Sequence, residues 1–228
     1  MNKIPYREHH LFKLLEAYSQ QTLPLDLFIS HYFRDHHALG SKDRAFIAET
    51  VYSLVRWKGL LDYLAPSSSW MDRYQIYLNT DFNQVQQQEE IPLATRVSFP
   101  PQLFDCFVKS HGVEKAHELC LICNTPAPTT VRANSLKISR GELLSRWENI
   151  YEVSPTSQSP EGIIFHKKIN FFQLPEFKEG LFEVQDEGSQ LLAHLIQAQP
   201  GQQVLDYCAG SGGKTLAFAP AMQGKGQI

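Results

Sequence analysis

The residues of this 228-residue chain that could most plainly do chemistry lie in one run, VLDYCAGSGGKTLAFAP at 204–220. Val204 and Leu205 read as the end of a short buried strand, and Asp206 stands near its carboxyl edge. Gly210, Gly212 and Gly213 then permit a tight turn into a helix that begins near Lys214. A Cβ in such a turn would block both a positive φ and the close approach of a ligand to the backbone. The helix head adds unpaired N–H groups and about half a positive charge. At the first crossover of a doubly wound sheet, a turn of this kind forms one wall of a cofactor crevice.

Three cofactors compete for that geometry. Gly213, Lys214 and Thr215 supply the end of a phosphate-binding G-x-x-x-x-G-K-[ST] loop, but Cys208 stands where its first glycine belongs. The dinucleotide pattern G-x-G-x-x-G is met at Gly210 and Gly212, and its third glycine is replaced by Thr215. A nucleoside cofactor without a pyrophosphate remains, and S-adenosylmethionine is the leading candidate.

The thiols and imidazoles elsewhere point to less. Cys106, Cys120 and Cys123 fall in helical patterns, where a free cysteine acts as a small buried hydrophobe, and Cys208 belongs to the glycine turn. Four cysteines so unevenly placed do not make a disulfide scaffold. His111, His117, Cys120 and Cys123 lack the second cysteine pair or tight loop of a tetrahedral zinc site, so no metal is assigned. The pairs His9-His10 and His36-His37 diverge on a helix and read as solvated surface.

The elements that must hold the turn follow from periodicity. Leu11, Leu14, Leu15 and Tyr18, and then Leu25, Phe28, Ile29, Tyr32 and Phe33, repeat at helical spacing. Ser41 is placed to cap a longer helix with a buried stripe of Phe46, Ile47, Val51, Leu54 and Val55. This bundle ends in the breaker APSSSW, and polar NQVQQQEE at 83–90 reads as a linker. Helical patterns at 101–110 and 113–124 precede β-rich TTVRAN at 129–134, and Ser139 with Glu142 forms a capping box for a helix over 140–149. SPTSQSPEG reads as loop, GIIFHK, NFF and LFEVQ as strands, and 187–198 as a helix. The expected organisation is α/β overall: a helical region at 1–90, a small α+β subdomain at 91–180, and the start of a Rossmann-like domain at 181–228.

A formal charge of −3 and a pI near 6.3 give no global attraction to nucleic acid, so an RNA partner must be held by local patches. Arg132, Lys137 and Arg140 cluster around the capped helix, and Lys42, Arg44, Arg56 and Lys58 lie in the helical region. No run approaches the roughly 18 apolar residues of a membrane span, and the first residues are broken by charges, so a cytoplasmic protein is expected.

Taken with these residues, the chain resembles the Rsm/Nop-type RNA (cytosine-5) methyltransferases, including the bacterial Sun/Fmu ribosomal RNA enzymes. VLDYCAGSGGKT is similar to that family's first cofactor motif. The resemblance implies that Cys208, Ala209, Gly210, Ser211, Gly212, Gly213 and Lys214 wrap the methionine end of S-adenosylmethionine. NTPAPTTVRANSLKISRGELL resembles the family's RNA-binding subdomain, with its Arg-x-Asn signature at Arg132 and Asn134, which implies RNA contacts from Arg132, Asn134, Lys137 and Arg140. GSKDRAFIAETVYSLVRWKG is similar to the NusB-like helical extension of the Sun/Fmu branch. The family uses a cysteine thiolate to attack C6 of cytosine and a second cysteine in a Pro-Cys context to release product. Neither a Pro-Cys nor a Thr-Cys pair occurs here. The expectation is an N-terminal fragment without catalytic residues, inactive alone, with residues 200–228 poorly protected. A complementing C-terminal fragment would be its partner beside ribosomal RNA. The alternative is a non-catalytic RNA-binding protein or one half of a split enzyme, with a P-loop hydrolase a distant third.

Overall fold

In the computed structural model, residues 4–65 and 69–228 are described. The middle of the expected breaker APSSSW, residues 66–68, lies outside them. The chain divides into two compact units, Met1–Pro126 and Ala127–Ile228.

The first unit contains α1 (Tyr6–Tyr18), α2 (Leu25–Asp35), α3 (Ser41–Arg56), α4 (Lys58–Leu64) and α5 (Trp70–Asn79). Short α6 (Phe82–Val85) and α7 (Leu93–Arg96) follow, then α8 (Pro101–His111) and α9 (Val113–Cys123). Leu11, Leu14 and Leu15 of α1 pack with Ile47, Val51 and Leu54 of α3, and Ile29, Tyr32, Trp70 and Tyr74 close the cluster. Gly40, not Ser41, takes the cap position of α3, and Ser41 is the first helical residue. The expected linker at 83–90 is instead folded. Val85 is buried with Leu60 and Ile91, and the Arg96 guanidinium donates to the carbonyls of Ile91, Gln86 and Glu89. One valine among glutamines gives no periodicity, yet a single cation collecting three carbonyls fixes the segment. The border between compact units accordingly falls after Pro126, not near residue 90.

The histidine pairs need a similar correction. His10 is buried, with Nδ1 2.8 Å from the Tyr32 hydroxyl, and the half-buried His36 stacks on Tyr32 at 4.0 Å between ring centroids. Packing of α2 against α1 turns one member of each pair inward, while His9 and His37 remain exposed.

The second unit contains β1 (Thr129–Ala133), α10 (Arg140–Trp147), β2 (Val153–Pro155), β3 (Gly162–Phe165), α11 (Pro175–Lys178), β4 (Phe182–Val184), α12 (Glu187–Leu195) and α13 (Gly213–Phe218). Its four strands form a sheet in the order β2-β3-β1-β4, and every pair is antiparallel. Val131 lies opposite both Ile163 and Val184, which puts β1 at the centre. Alternation along β1 sends Val131 and Ala133 to one face and Thr130 and Arg132 to the other. The apolar face meets Leu143 and Trp147 of α10, with Ile163, Phe165, Phe171 and Phe182 around them. Ser139 and Glu142 form the capping box that starts α10.

Three local readings change. Residues 154 and 155 of the expected loop pair with β3 as part of β2. Phe171–Gln173 is a 3-10 turn, because Phe171 points into the core while its neighbour Phe172 is exposed. The strand expected at Val204 and Leu205 is reduced to one parallel bridge, Gln203 to Gln227. Val204 packs with Ala193, Ala198, Phe218 and Met222, so residues 200–228 carry a small cluster shared with α12.

Candidate functional site

The glycine run folds as a left-handed kink into a helix head. Gly210 and Gly212 have φ of 56° and 82°, and the Gly212 N–H donates to the Ala209 carbonyl at 2.8 Å. A Cβ at either glycine would meet nothing within 4 Å, so the backbone conformation, and not crowding, demands glycine there. The Thr215 hydroxyl donates to Asp206 Oδ2 at 2.6 Å and ties the two arms of the turn together. No side chain caps α13, which leaves its first N–H groups available to a ligand. Cys208, Ala209, Gly210, Ser211 and Lys214 are exposed and Gly212 and Gly213 half-buried, all on an open surface. Leu205 and Tyr207 beside them are 85% and 89% exposed. The open space beside both glycines and the uncapped helix head fit a nucleoside cofactor that lies along the backbone.

A polar chain leads from this turn into the sheet. Gln185 Nε2 donates to the Gly213 carbonyl at 3.0 Å, and Gln185 Oε1 accepts from Arg132 Nε at 2.7 Å. Arg132 Nη2 donates to Glu183 Oε2, also at 2.7 Å. Below them Gln190 is wholly buried: its amide donates to the Gln185 carbonyl at 2.9 Å, and its oxygen accepts from the Ser159 hydroxyl at 2.5 Å. No buried side-chain nitrogen or oxygen among the described residues lacks a hydrogen-bond partner. Glu187 holds the Gln158 and Ser159 amides at the head of α12, and those backbone bonds lower its pKa from the ordinary carboxylate value.

The four residues expected to touch RNA have internal work. Arg132 is 3% exposed and spends its guanidinium on Glu183 and Gln185, so it is not presented to a phosphate. Asn134 donates to the Gly180 carbonyl and accepts from the Leu136 N–H, pinning the turn after β1. Lys137 donates to the Glu179 carbonyl at 2.6 Å but is otherwise exposed. Arg140 donates to the Ser159 carbonyl at 2.9 Å. An Arg-x-Asn pattern on a central strand thus organises the sheet edge. Gln185 and Glu183 were not picked out from sequence, although their alternation with Phe182 and Val184 in FEVQ marks one polar strand face.

The remaining candidates lie in the first unit. His117 Nε2 lies 3.0 Å from Gln86 Oε1, and Cys120 is buried with Val97, Phe104 and Ala116. Burial raises the Cys120 thiol pKa, with Cys123 adding to the effect. No three His, Cys, Asp or Glu side chains among the described residues come together as a metal would require. Likewise, no helix among them is long and apolar enough to cross a membrane.

The second unit is thus a mixed α/β layout, an antiparallel sheet backed by α10 and joined through α12 to a glycine turn. The family described as Methyltr_RsmF/B-like, ferredoxin-like domain matches residues 99–171. A probable ribosomal RNA small subunit methyltransferase B from Synechocystis is 32% identical over 184 residues, covering 78% of this chain and 40% of that protein. The 26S rRNA (cytosine-C(5))-methyltransferase nsun-1 of Caenorhabditis elegans is 32% identical over 108 residues, 46% of this chain and 16% of its own length. In fold, the crystal structure of PH0851 matches with a TM-score of 0.69 at 19% identity, over 99% of this chain and 63% of that one. By these matches the chain is similar to the Sun/Fmu group of Rsm/Nop-type methyltransferases. It spans two-fifths or less of the length of these two curated relatives.

Proposed function

We propose that the chain serves S-adenosylmethionine-dependent methylation of cytosine C5 in ribosomal RNA, by docking the RNA and holding the methionine end of the cofactor. The observation that carries this reading is the left-handed Gly210–Gly212 kink, open beside both glycines and tied to the sheet through Gln185. Cys208, Ala209, Gly210, Ser211, Gly212, Gly213 and Lys214 would hold the cofactor, which supplies an electrophilic methyl group. Arg132 and Asn134 would act by shaping the sheet, while Lys137 and Arg140 lie nearer the surface for phosphate contact. Residues 1–90 would be a NusB-like RNA-binding extension, the glycine run would open a Rossmann-like domain, and the setting would be the cytoplasm.

The chain has no Pro-Cys or Thr-Cys pair, and this supports a role that depends on a complementing catalytic polypeptide. The same feature favours, as a second reading, an RNA-binding protein without catalysis. Titration calorimetry with S-adenosylmethionine separates them. The expected result is weak or absent binding to this chain alone and tight binding once a polypeptide carrying the missing thiols is added, abolished by Gly212→Val. Cytosine methylation by the purified chain alone would overturn the division of labour. Absence of cofactor binding in every combination would leave the RNA-binding reading.

A further inference from the structure

Between Glu161 and Glu176 the chain carries no carboxylate, although its net charge is −3. That stretch contains HKKINFF, which follows β3 and leads through a 3-10 turn towards α11. Its apolar side chains divide sharply. Phe171 is buried, its ring 5.1 Å from that of Phe165 and 5.7 Å from that of Phe182, and Ile169 packs against the same core. Phe172 is 73% exposed. Its ring meets that of Phe177 in a T-shaped pair at 5.2 Å and 81°, which steadies it while leaving most of it open. The turn is closed by Gln173 N–H to Asn170 and Leu174 N–H to Phe171 carbonyl bonds, and Leu174 is buried on its far side. An aromatic ring is therefore held out on a backbone anchored at both flanks.

The cations that precede it in the same stretch are exposed. Lys167 has a side chain 78% exposed and pairs with the exposed Glu152 at 3.0 Å, a contact of little strength that a phosphate can displace. Lys168 follows on the exposed loop. An open ring four and five residues after two lysines matches what an unpaired nucleotide needs: a π face for its base and positive charge for its phosphates. A duplex, whose bases are stacked inside, cannot use the ring in this way.

We infer that Phe172, with Lys167 and Lys168, forms a stacking platform for a single-stranded RNA nucleotide. This rests on the RNA-docking reading above and adds to it the strandedness of the RNA and the residues that read it. Because Phe172 is exposed, its truncation leaves the fold intact, which circular dichroism checks. The probes are a short single-stranded RNA carrying one fluorescent adenine analogue and the same RNA annealed to its complement. The wild-type chain quenches the analogue in the single strand only. Phe172→Ala abolishes quenching and weakens single-strand binding about tenfold with the salt slope unchanged, while Phe172→Trp retains both. The double variant Lys167→Ala/Lys168→Ala lowers the salt slope by roughly 1.4. If wild type and Phe172→Ala bind the single strand equally, or quenching persists in Phe172→Ala, the platform is refuted while RNA docking stands. Binding of neither RNA by the wild-type chain would overturn the docking reading itself.

Discussion

The sheet and the glycine run lie in one compact unit but are built to different degrees of closure. Around β1 every face is covered: Trp147 is wholly buried between rings of Phe165 and Phe182, and the polar face is filled by Arg132, Gln185 and Gln190 with their partners. In the glycine run, α13 packs on α12 on one side, while Leu205 and Tyr207 stand almost fully in solvent on another. Parallel strands are ordinarily buried on both faces, and the single parallel bridge at Gln203 is covered on one. A scaffold closed on both faces thus carries a turn left open on one side.

The sharpest way to break this contrast is at the sheet core. Trp147→Ala should cost about 3–5 kcal/mol in urea unfolding, because it opens a cavity and leaves its Glu176 partner unbonded. Arg132→Met comes next. It strands Gln185 and Glu183, and since Glu183 is one-third exposed the loss should be about 2 kcal/mol, below that of a fully buried pair. The same variant should loosen the glycine turn through Gln185, seen as faster amide exchange at α13, while the salt slope of RNA binding stays unchanged. A changed slope would return Arg132 to the phosphate contacts.

Acid supplies a gentler probe. Hydrogen bonds from the Ser159 and Gln158 amides lower the Glu187 pKa, and bonds with Ser139 lower that of Glu142. A carboxylate with a lowered folded-state pKa contributes stability above its unfolded value, here about 4.5, and loses it as pH falls through the folded value. The urea midpoint should therefore drop below about pH 4.5, and Glu187→Gln should flatten that drop. The smallest effect is expected at Leu205→Asp, within about 0.5 kcal/mol, because the side chain is already solvated. A large loss there would mean that the exposed face is closed in solution, and the contrast would fail.

Legibility in the sequence followed how locally each feature is determined. The capping box of α10, the leucine stripe of α1 and the strand β1 depend on neighbours within a few residues, and their sequence patterns sufficed. Phe171 and Phe172 looked alike because β propensity does not say which ring the core has room for. The 83–91 segment is fixed by Arg96 bonding to backbone carbonyls, which residue types do not announce, and His10 by Tyr32 22 residues away, beyond any short window. At the glycine run the turn was legible from its residue types. The amide bridge from Gln185 to Gly213 spans 28 positions and was not.

The Thr215–Asp206 clasp carries one more consequence. Since hydroxyl and carboxylate already lock the bend before anything arrives, this stretch of backbone forfeits little conformational freedom when a visitor settles on it. Thr215→Val, by releasing that latch, should slow the arrival of a cofactor more than it hastens its departure.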